Sequence, residues 1–153
     1  MRLLLGFLWP MLFGLAVVAQ PVIQILYGAK WQAAATPLAL LAIASAITVG
    51  VGMTAELFIL RHQTSRQVKL ESTRAVVGIA MFAAGALISL PMAAAAKVAE
   101  SVLAFLLYRK PMAHLIGGSS ADMNIVYREG VMLSAAAILP SVLLMSWLSL
   151  IHI

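Results

Sequence analysis

The chain contains no cysteine, which excludes disulfide bonds, thiolate metal sites and cysteine nucleophiles. It is almost as poor in charge. Only 10% of its 153 residues are Asp, Glu, Lys or Arg, against about 25% in an ordinary globular domain. Metal-binding patterns are missing too, because His62, His114 and His152 lie far apart without His-x-x-x-His or carboxylate spacing. Gly50 and Gly52 form a lone Gly-x-Gly within an apolar run, and no Gly-Lys-Ser/Thr follows Gly117-Gly118, so no phosphate-cradling loop is supported. Close helix packing or a turn accounts for these glycines. Nothing in the sequence argues for catalysis, a cofactor or a metal.

What is present is apolar: 63% of residues are hydrophobic and mean hydropathy is +1.05. A water-soluble fold of this size could not cover so much apolar surface, so lipid is the solvent for most of the chain. In a bilayer the backbone must satisfy its own polar groups, and a helix needs about 20 residues to cross about 30 Å. Five runs meet that requirement: residues 3–27, which include Pro10 and Pro21; 37–60; 75–90; 92–108; and 131–153. The third and fourth form one uninterrupted stretch from Ala75 to Tyr108, which as a single helix would be about 51 Å long. It must turn, and Pro91, preceded by Ser89 and Leu90, is the natural hinge, since proline disfavours helix at the residue before it. Residues 1–153 are expected to form one all-α polytopic transmembrane bundle. Met1, Arg2 and Val17-Val18-Ala19 also fit a signal peptide and its cleavage site, although the run is long and Pro21 follows the cut. Later spans are unaffected by that choice.

Net charge is +5, from ten Lys and Arg against five Asp and Glu. In a soluble protein that excess would suggest nucleic acid. Here its placement explains it better, and no nucleic-acid partner is expected. If five spans alternate, Arg2, Arg61, Arg66, Lys69, Arg74, Arg109, Lys110 and Arg128 share one side, whereas Lys30 alone lies on the other. The positive-inside rule then puts the N-terminus in the cytoplasm. Gly117 to Ser120 break the last cytoplasmic segment, and Asp122 is a candidate cap for the helix after it. Tyr27 and Trp31, near Gln20, Gln24 and Lys30, fit an interfacial aromatic belt at the outer end of the first span.

Small residues crowd the spans: Ala42, Ala46 and Gly50; Gly78, Ala80, Ala84 and Gly85; Ala93 to Ala96 and Ala99. They let helix backbones approach where water supplies no driving force, which implies a packed bundle. Three ionisable residues in predicted spans are the candidate cavity residues. Glu56 falls near the cytoplasmic boundary beside Arg61, where an interfacial role suffices. Lys97 and Glu100 lie about 9 and 13 Å along the fourth span, three residues apart and so on one face, where they can pair. Such a pair belongs in a bundle interior or a watery cavity, and Lys97 is the residue there able to attract an anionic group.

Pro21-Val-Ile-Gln-Ile-Leu-Tyr-Gly-Ala-Lys-Trp31, with Ala33 to Ala35 and Pro37-Leu-Ala-Leu-Leu-Ala-Ile, resembles a stretch of bacterial polysaccharide flippases. These belong to the multidrug/oligosaccharidyl-lipid/polysaccharide exporter superfamily. Leu90-Pro-Met-Ala-Ala-Ala-Ala-Lys-Val-Ala-Glu100 resembles the outer turn of that family's hairpin and the helix after it. The resemblance runs from Pro21 to Gly117, and its most specific element is the Tyr-Gly-x-x-Trp turn. It implies a multi-pass protein of the bacterial inner membrane that moves a lipid-linked oligosaccharide or polysaccharide precursor. Members have about twelve to fourteen spans in two bundles, so five spans imply a partial, C-terminal-half-like chain whose partner would be the rest of a transporter. Two other readings stay open. One is a small non-transporting membrane protein packed in a larger complex. The other is a cation-coupled drug exporter of the same superfamily, which would need carboxylates in its cavity.

Overall fold

The computed structural model of the chain describes residues 2–52, 54–116 and 120–151; for residues 2, 4, 55, 114–116, 120–123, 141, 142 and 144–151 it describes the backbone alone. The described residues are helical, with no strand among them. Seven α-helices follow one another: α1 (Arg2–Val17), α2 (Ala19–Tyr27), α3 (Ala35–Val49), α4 (Thr54–Leu60), α5 (Thr64–Ile88), α6 (Leu90–Ile116) and α7 (Ser120–Ile151). A 3-10 turn, Ala29–Ala34, joins α2 to α3.

Among the described residues, three helical stretches are long and apolar enough to cross a membrane: Ala29–Val49, Thr64–Ile88 and Leu90–Ala113. A fourth is available if the bent pair α1 and α2 counts as one span. This is the architecture of a membrane protein. The fifth predicted run, 131–153, belongs to α7, whose backbone is helical to Ile151 but most of whose side chains from 141 onward lie outside the described residues. Gly117 to Ser119 and the side chains of His114, Ser120, Asp122 and His152 lie outside them too.

Two predicted spans are not continuous. The first bends by 69° between Val17 and Ala19. Proline explains it: Pro21 has no N–H to give the Val17 carbonyl, and its ring crowds that oxygen. The flanking bonds persist, from Val18 N to Gly14 O and from Val22 N to Val18 O, each 3.0 Å. Pro10, in contrast, is accommodated inside α1. The run 37–60 breaks after Val49, where the amides of Gly50, Val51 and Gly52 turn to the carbonyls of Ile47, Thr48 and Val49 in i to i−3 bonds. Two glycines within three residues weaken the helix at that point. The Tyr127 hydroxyl then donates to the freed Gly50 carbonyl at 2.9 Å.

The hairpin between α5 and α6 turns on one extended residue, Ser89 (φ −171°, ψ 161°). Its Oγ accepts from the Met92 N–H at 3.2 Å, which caps α6, and Pro91 sits in the first turn where it forfeits no helical bond. Gly85 makes the turn this tight: a Cβ there would lie 2.7 Å from the Met92 carbonyl oxygen and 3.0 Å from Ala93 Cα. Helix α5 starts well before its predicted span and ends two residues short of it, whereas α6 overruns its span at both ends. The basic segment 62–73, expected as a connection, is helical from Thr64 onward and extends α5 toward the cytoplasmic side of the predicted topology.

Helix α3 packs on α6 and on α1, and α1 also packs on α7. Thr48 meets Ser101, Gly50 faces Phe105 and Thr54 reaches Met112, so α3 with α4 and the neighbouring α6 run in the same direction. Trp9 holds the other side together. Its Nε1 donates to the Ala46 carbonyl at 2.8 Å, its ring stacks on Tyr127 at 6.2 Å, and Tyr127 meets Phe105 at 5.2 Å. Gly130 leaves room for this, because a Cβ there would come within 3.0 Å of the indole. A second core joins Val51, Phe58, Ala104 and Tyr108.

Candidate functional site

The polar centre of the bundle lies where α5 and α6 run antiparallel against α3. Counting along α6 from Leu90, Glu100 lies about 15 Å from the hairpin tip, roughly half the thickness of a hydrocarbon layer. Its carboxylate is 4% exposed and is held on both oxygens. Arg74 Nε of α5 donates to Oε1 at 2.6 Å, and Lys97 Nζ, one turn back on α6, donates to Oε2 at 2.5 Å. Gly78 is opposite, and a Cβ on it would be 3.0 Å from Glu100 Cγ, so this carboxylate fits because the facing residue is glycine. The chain of contacts continues toward the cytoplasmic end of the predicted topology. Arg74 lies 3.5 Å from the Glu71 carboxylate, which accepts the Tyr108 hydroxyl at 2.6 Å.

An isolated carboxylate at this depth would be costly. Two cations within bonding distance offset that cost. The cations differ in surroundings, since the side chain of Arg74 is 18% exposed and that of Lys97 45%. Beside them a groove of about 580 Å³ opens between α3, α5 and α6, lined by the ionic Arg74, Lys97, Glu71 and Glu100 and by the apolar Leu41, Ile79 and Phe82. Two smaller pockets of about 400 Å³ share its walls and run along Thr48 and Gly52. Arg74 lines all three. The α3 wall adds hydroxyls: Thr48 Oγ1 lies 3.2 Å from Ser101 Oγ, which donates to the Lys97 carbonyl at 2.9 Å. Chemically this is an amphipathic cleft whose ionic end can receive an anionic head group and whose apolar end can receive hydrocarbon.

No family model, curated protein or solved structure matches the chain. The site therefore stands on its own geometry.

Of the three candidate cavity residues, Lys97 and Glu100 meet as an i,i+3 pair on the groove wall. Glu56 does not join them. It is exposed in the first turn of α4 and is not among the residues lining the groove. The residue that sequence reasoning missed is Arg74. Grouped with the cytoplasmic basic residues, it turns inward instead and becomes the second cation on Glu100. A signal for it was present. Reflecting positions across Ser89 puts Gly78 opposite Glu100 and places Arg74 one turn further down α5, within reach of a long side chain. The same reflection puts Glu71 opposite Leu107, next to the Tyr108 whose hydroxyl it accepts.

At the other end of the bundle, Tyr27 and Trp31 lie 6.4 Å apart and exposed around Gly28. Gly28 adopts φ 79°, ψ 176°, a conformation essentially restricted to glycine, which explains the residue between the aromatic pair. Gln24 and Gln32 approach to 3.5 Å across this turn.

Proposed function

We propose that the chain serves in flippase-like membrane transport, exporting a lipid-linked oligosaccharide or polysaccharide precursor across the bacterial inner membrane. Its substrate would be of the polyprenyl-diphosphate kind, carrying a hydrocarbon tail, a charged linkage and a polar sugar. The observation that carries this reading is the groove itself: cationic Lys97 and Arg74 at mid-depth of a hairpin, next to an apolar wall of Leu41, Ile79 and Phe82. Transport would proceed by alternating exposure of this groove, with no bond made or broken. Lys97 attracts the charged linkage and Glu100 tunes it. The proposal includes five spans with a cytoplasmic N-terminus. Alternation requires the second and fourth spans to run the same way, as α3 and α6 do.

Proteoliposomes, or cells that depend on the chain, give the direct test. Replacing Lys97 with Ala should slow translocation of the lipid-linked oligosaccharide, and unchanged flipping would remove that residue from the mechanism. Reporter fusions at Thr64 and Gly118 should fall on the same side of the membrane.

One observation favours the second reading, a non-transporting component of a larger complex. Ala80 and Ala84 leave small-residue surface exposed on α5, whereas Ala42, Ala46, Gly85, Ala93 and Ala94 are buried inside the bundle. That reading predicts a stable co-purifying partner and no transport on reconstitution. For the cation-coupled exporter the groove offers two carboxylates, Glu100 and Glu71, both already engaged by cations or a hydroxyl.

A further inference from the structure

The ionic end of the groove has two cations and two carboxylates, and one of the carboxylates, Glu100, engages both cations. Each Glu100 oxygen takes one cation, Arg74 on Oε1 and Lys97 on Oε2. This is how a phosphate bridging two basic residues is held, with a side chain in the position of the ligand. We propose that Arg74 and Lys97 together form a binding site for a phosphodiester head group, that Glu100 is its built-in competitor, and that each anion bound is accompanied by one proton taken up on Glu100. The inference rests on the groove being where an anionic head group sits, and adds which residues hold it and what must leave.

While Glu100 is ionised, Arg74 and Lys97 are already neutralised in part, and an entering anion meets a carboxylate at the centre of the site. Three arrangements are open to it. The anion can bind beside an ionised Glu100, which places two negative charges in contact at membrane depth. Glu100 can swing into solvent, but its side chain is 4% exposed and packed against Gly78. Or Glu100 can take a proton from water and release both cations. The third leaves the charge at the site unchanged without moving the buried side chain: two cations and a carboxylate become two cations, a neutral acid and a bound monoanion. A buried carboxyl beside a like charge is driven to the protonated form, which is the same conclusion reached from the other direction.

The groups facing Glu100 are Arg74 and Glu71 from α5, and Lys97 and, through Glu71, Tyr108 from α6. The packed α3 (Ala35–Val49) carries no ionisable residue and offers the hydroxyls of Ser45 and Thr48. Glu71 is 58% exposed at the groove lining, where it accepts the Tyr108 hydroxyl and lies 3.5 Å from Arg74. The half-exposed Lys97 is the cation that an incoming anion reaches first. Leu41, Ile79 and Phe82 then receive the chains of a lipid, which separates this site from one for a free anion.

The test is binding of dihexanoyl phosphatidylglycerol, whose phosphodiester charge is constant near neutral pH, to the purified full chain in detergent, followed by calorimetry from pH 5 to 8. Dihexanoyl phosphatidylcholine and dimethyl phosphate are the zwitterionic and chain-free arms. Affinity for phosphatidylglycerol should rise roughly tenfold for each unit the pH falls, by linkage to one proton. Buffers of different ionisation enthalpy should report that proton taken up. Glu100→Gln should bind tightly at every pH, with the slope abolished. Arg74→Gln and Lys97→Gln should each lose at least tenfold in affinity. Dimethyl phosphate should bind more weakly than the lipid with the same pH slope, and phosphatidylcholine should bind without a slope. Binding of phosphatidylglycerol with no pH dependence and no proton uptake in the unmutated chain would overturn the proposal, as would equal binding of phosphatidylcholine or no binding at all. No transport enters this measurement, so a failure of flipping and a failure of the site are separate results.

Discussion

Removing Glu100 tests the ionic cluster without reference to any substrate. In Glu100→Ala, Arg74 and Lys97 lose the one group they share, and two like charges remain at mid-depth of the hairpin with Glu71 bonded to Tyr108 as the remaining nearby anion. Breaking a buried ion pair by deleting one partner costs about 3–5 kcal/mol. Lys97, at 45% exposed, can relax toward water, so the lower part of that range is expected, about 3 kcal/mol. The Gly78 side opens as well, because the carboxylate's methylenes fill the space next to it. Replacing the pair together should behave differently. Arg74→Met with Glu100→Leu removes both charges and keeps apolar bulk, and such replacements are often neutral or stabilising by about 1–4 kcal/mol. The assay is reversible unfolding in mixed micelles of a mild detergent and SDS, followed by tryptophan fluorescence. A cost below about 1 kcal/mol for Glu100→Ala, or a double variant no better than the single one, would mean that Glu100 does not hold the two cations.

Other positions give sharper local tests. Gly85→Val must push α5 and α6 apart, because a Cβ already falls 2.7 Å from the Met92 carbonyl; a loss of about 1–3 kcal/mol is expected in the same unfolding assay. Trp9→Phe keeps an aromatic ring but removes the donor to the Ala46 carbonyl, leaving that carbonyl without its side-chain partner, for about 1 kcal/mol. Ser89→Ala deletes the cap of α6 and should cost about 1 kcal/mol, whereas Ser89→Asp should preserve it. Pro21→Ala restores the N–H that the Val17 carbonyl lacks; spin labels at Phe7 and Leu26 should then move apart as the 69° bend opens.

Length and local spacing carried the legible part of this fold. An apolar stretch from Ala75 to Tyr108 is too long to cross once, and Pro91 marked where it turns; the structure turns two residues earlier, at Ser89. Lys97 and Glu100 were legible as a pair because helical spacing is local. Arg74 was not, because its partner lies 26 residues away and only the hairpin register connects them. The Trp9, Tyr127 and Phe105 cluster joins three helices far apart in sequence, and nothing periodic marks it. Pro21 and the Gly50-x-Gly52 pair were visible, yet a hydropathy run averages over backbone breaks, so runs 3–27 and 37–60 read as continuous. Glu56 shows the converse, since an ionisable residue inside an apolar run need not face a cavity when the helix carrying it is a separate short one.

If α3, α5 and α6 enclose a groove reachable from water at the depth of the hydrocarbon layer, thiols on its wall will be labelled and thiols facing lipid will not. The chain has no cysteine, so single cysteines can be read without background. Cysteine at Ala75, Ala83 or Leu41, on the groove wall, should react with a membrane-impermeant methanethiosulfonate in intact membranes. Cysteine at Val76, Val102 or Leu106, exposed on outer faces, should stay unreactive because lipid covers it. Equal labelling of the two sets, or labelling of the outer set alone, would contradict the account.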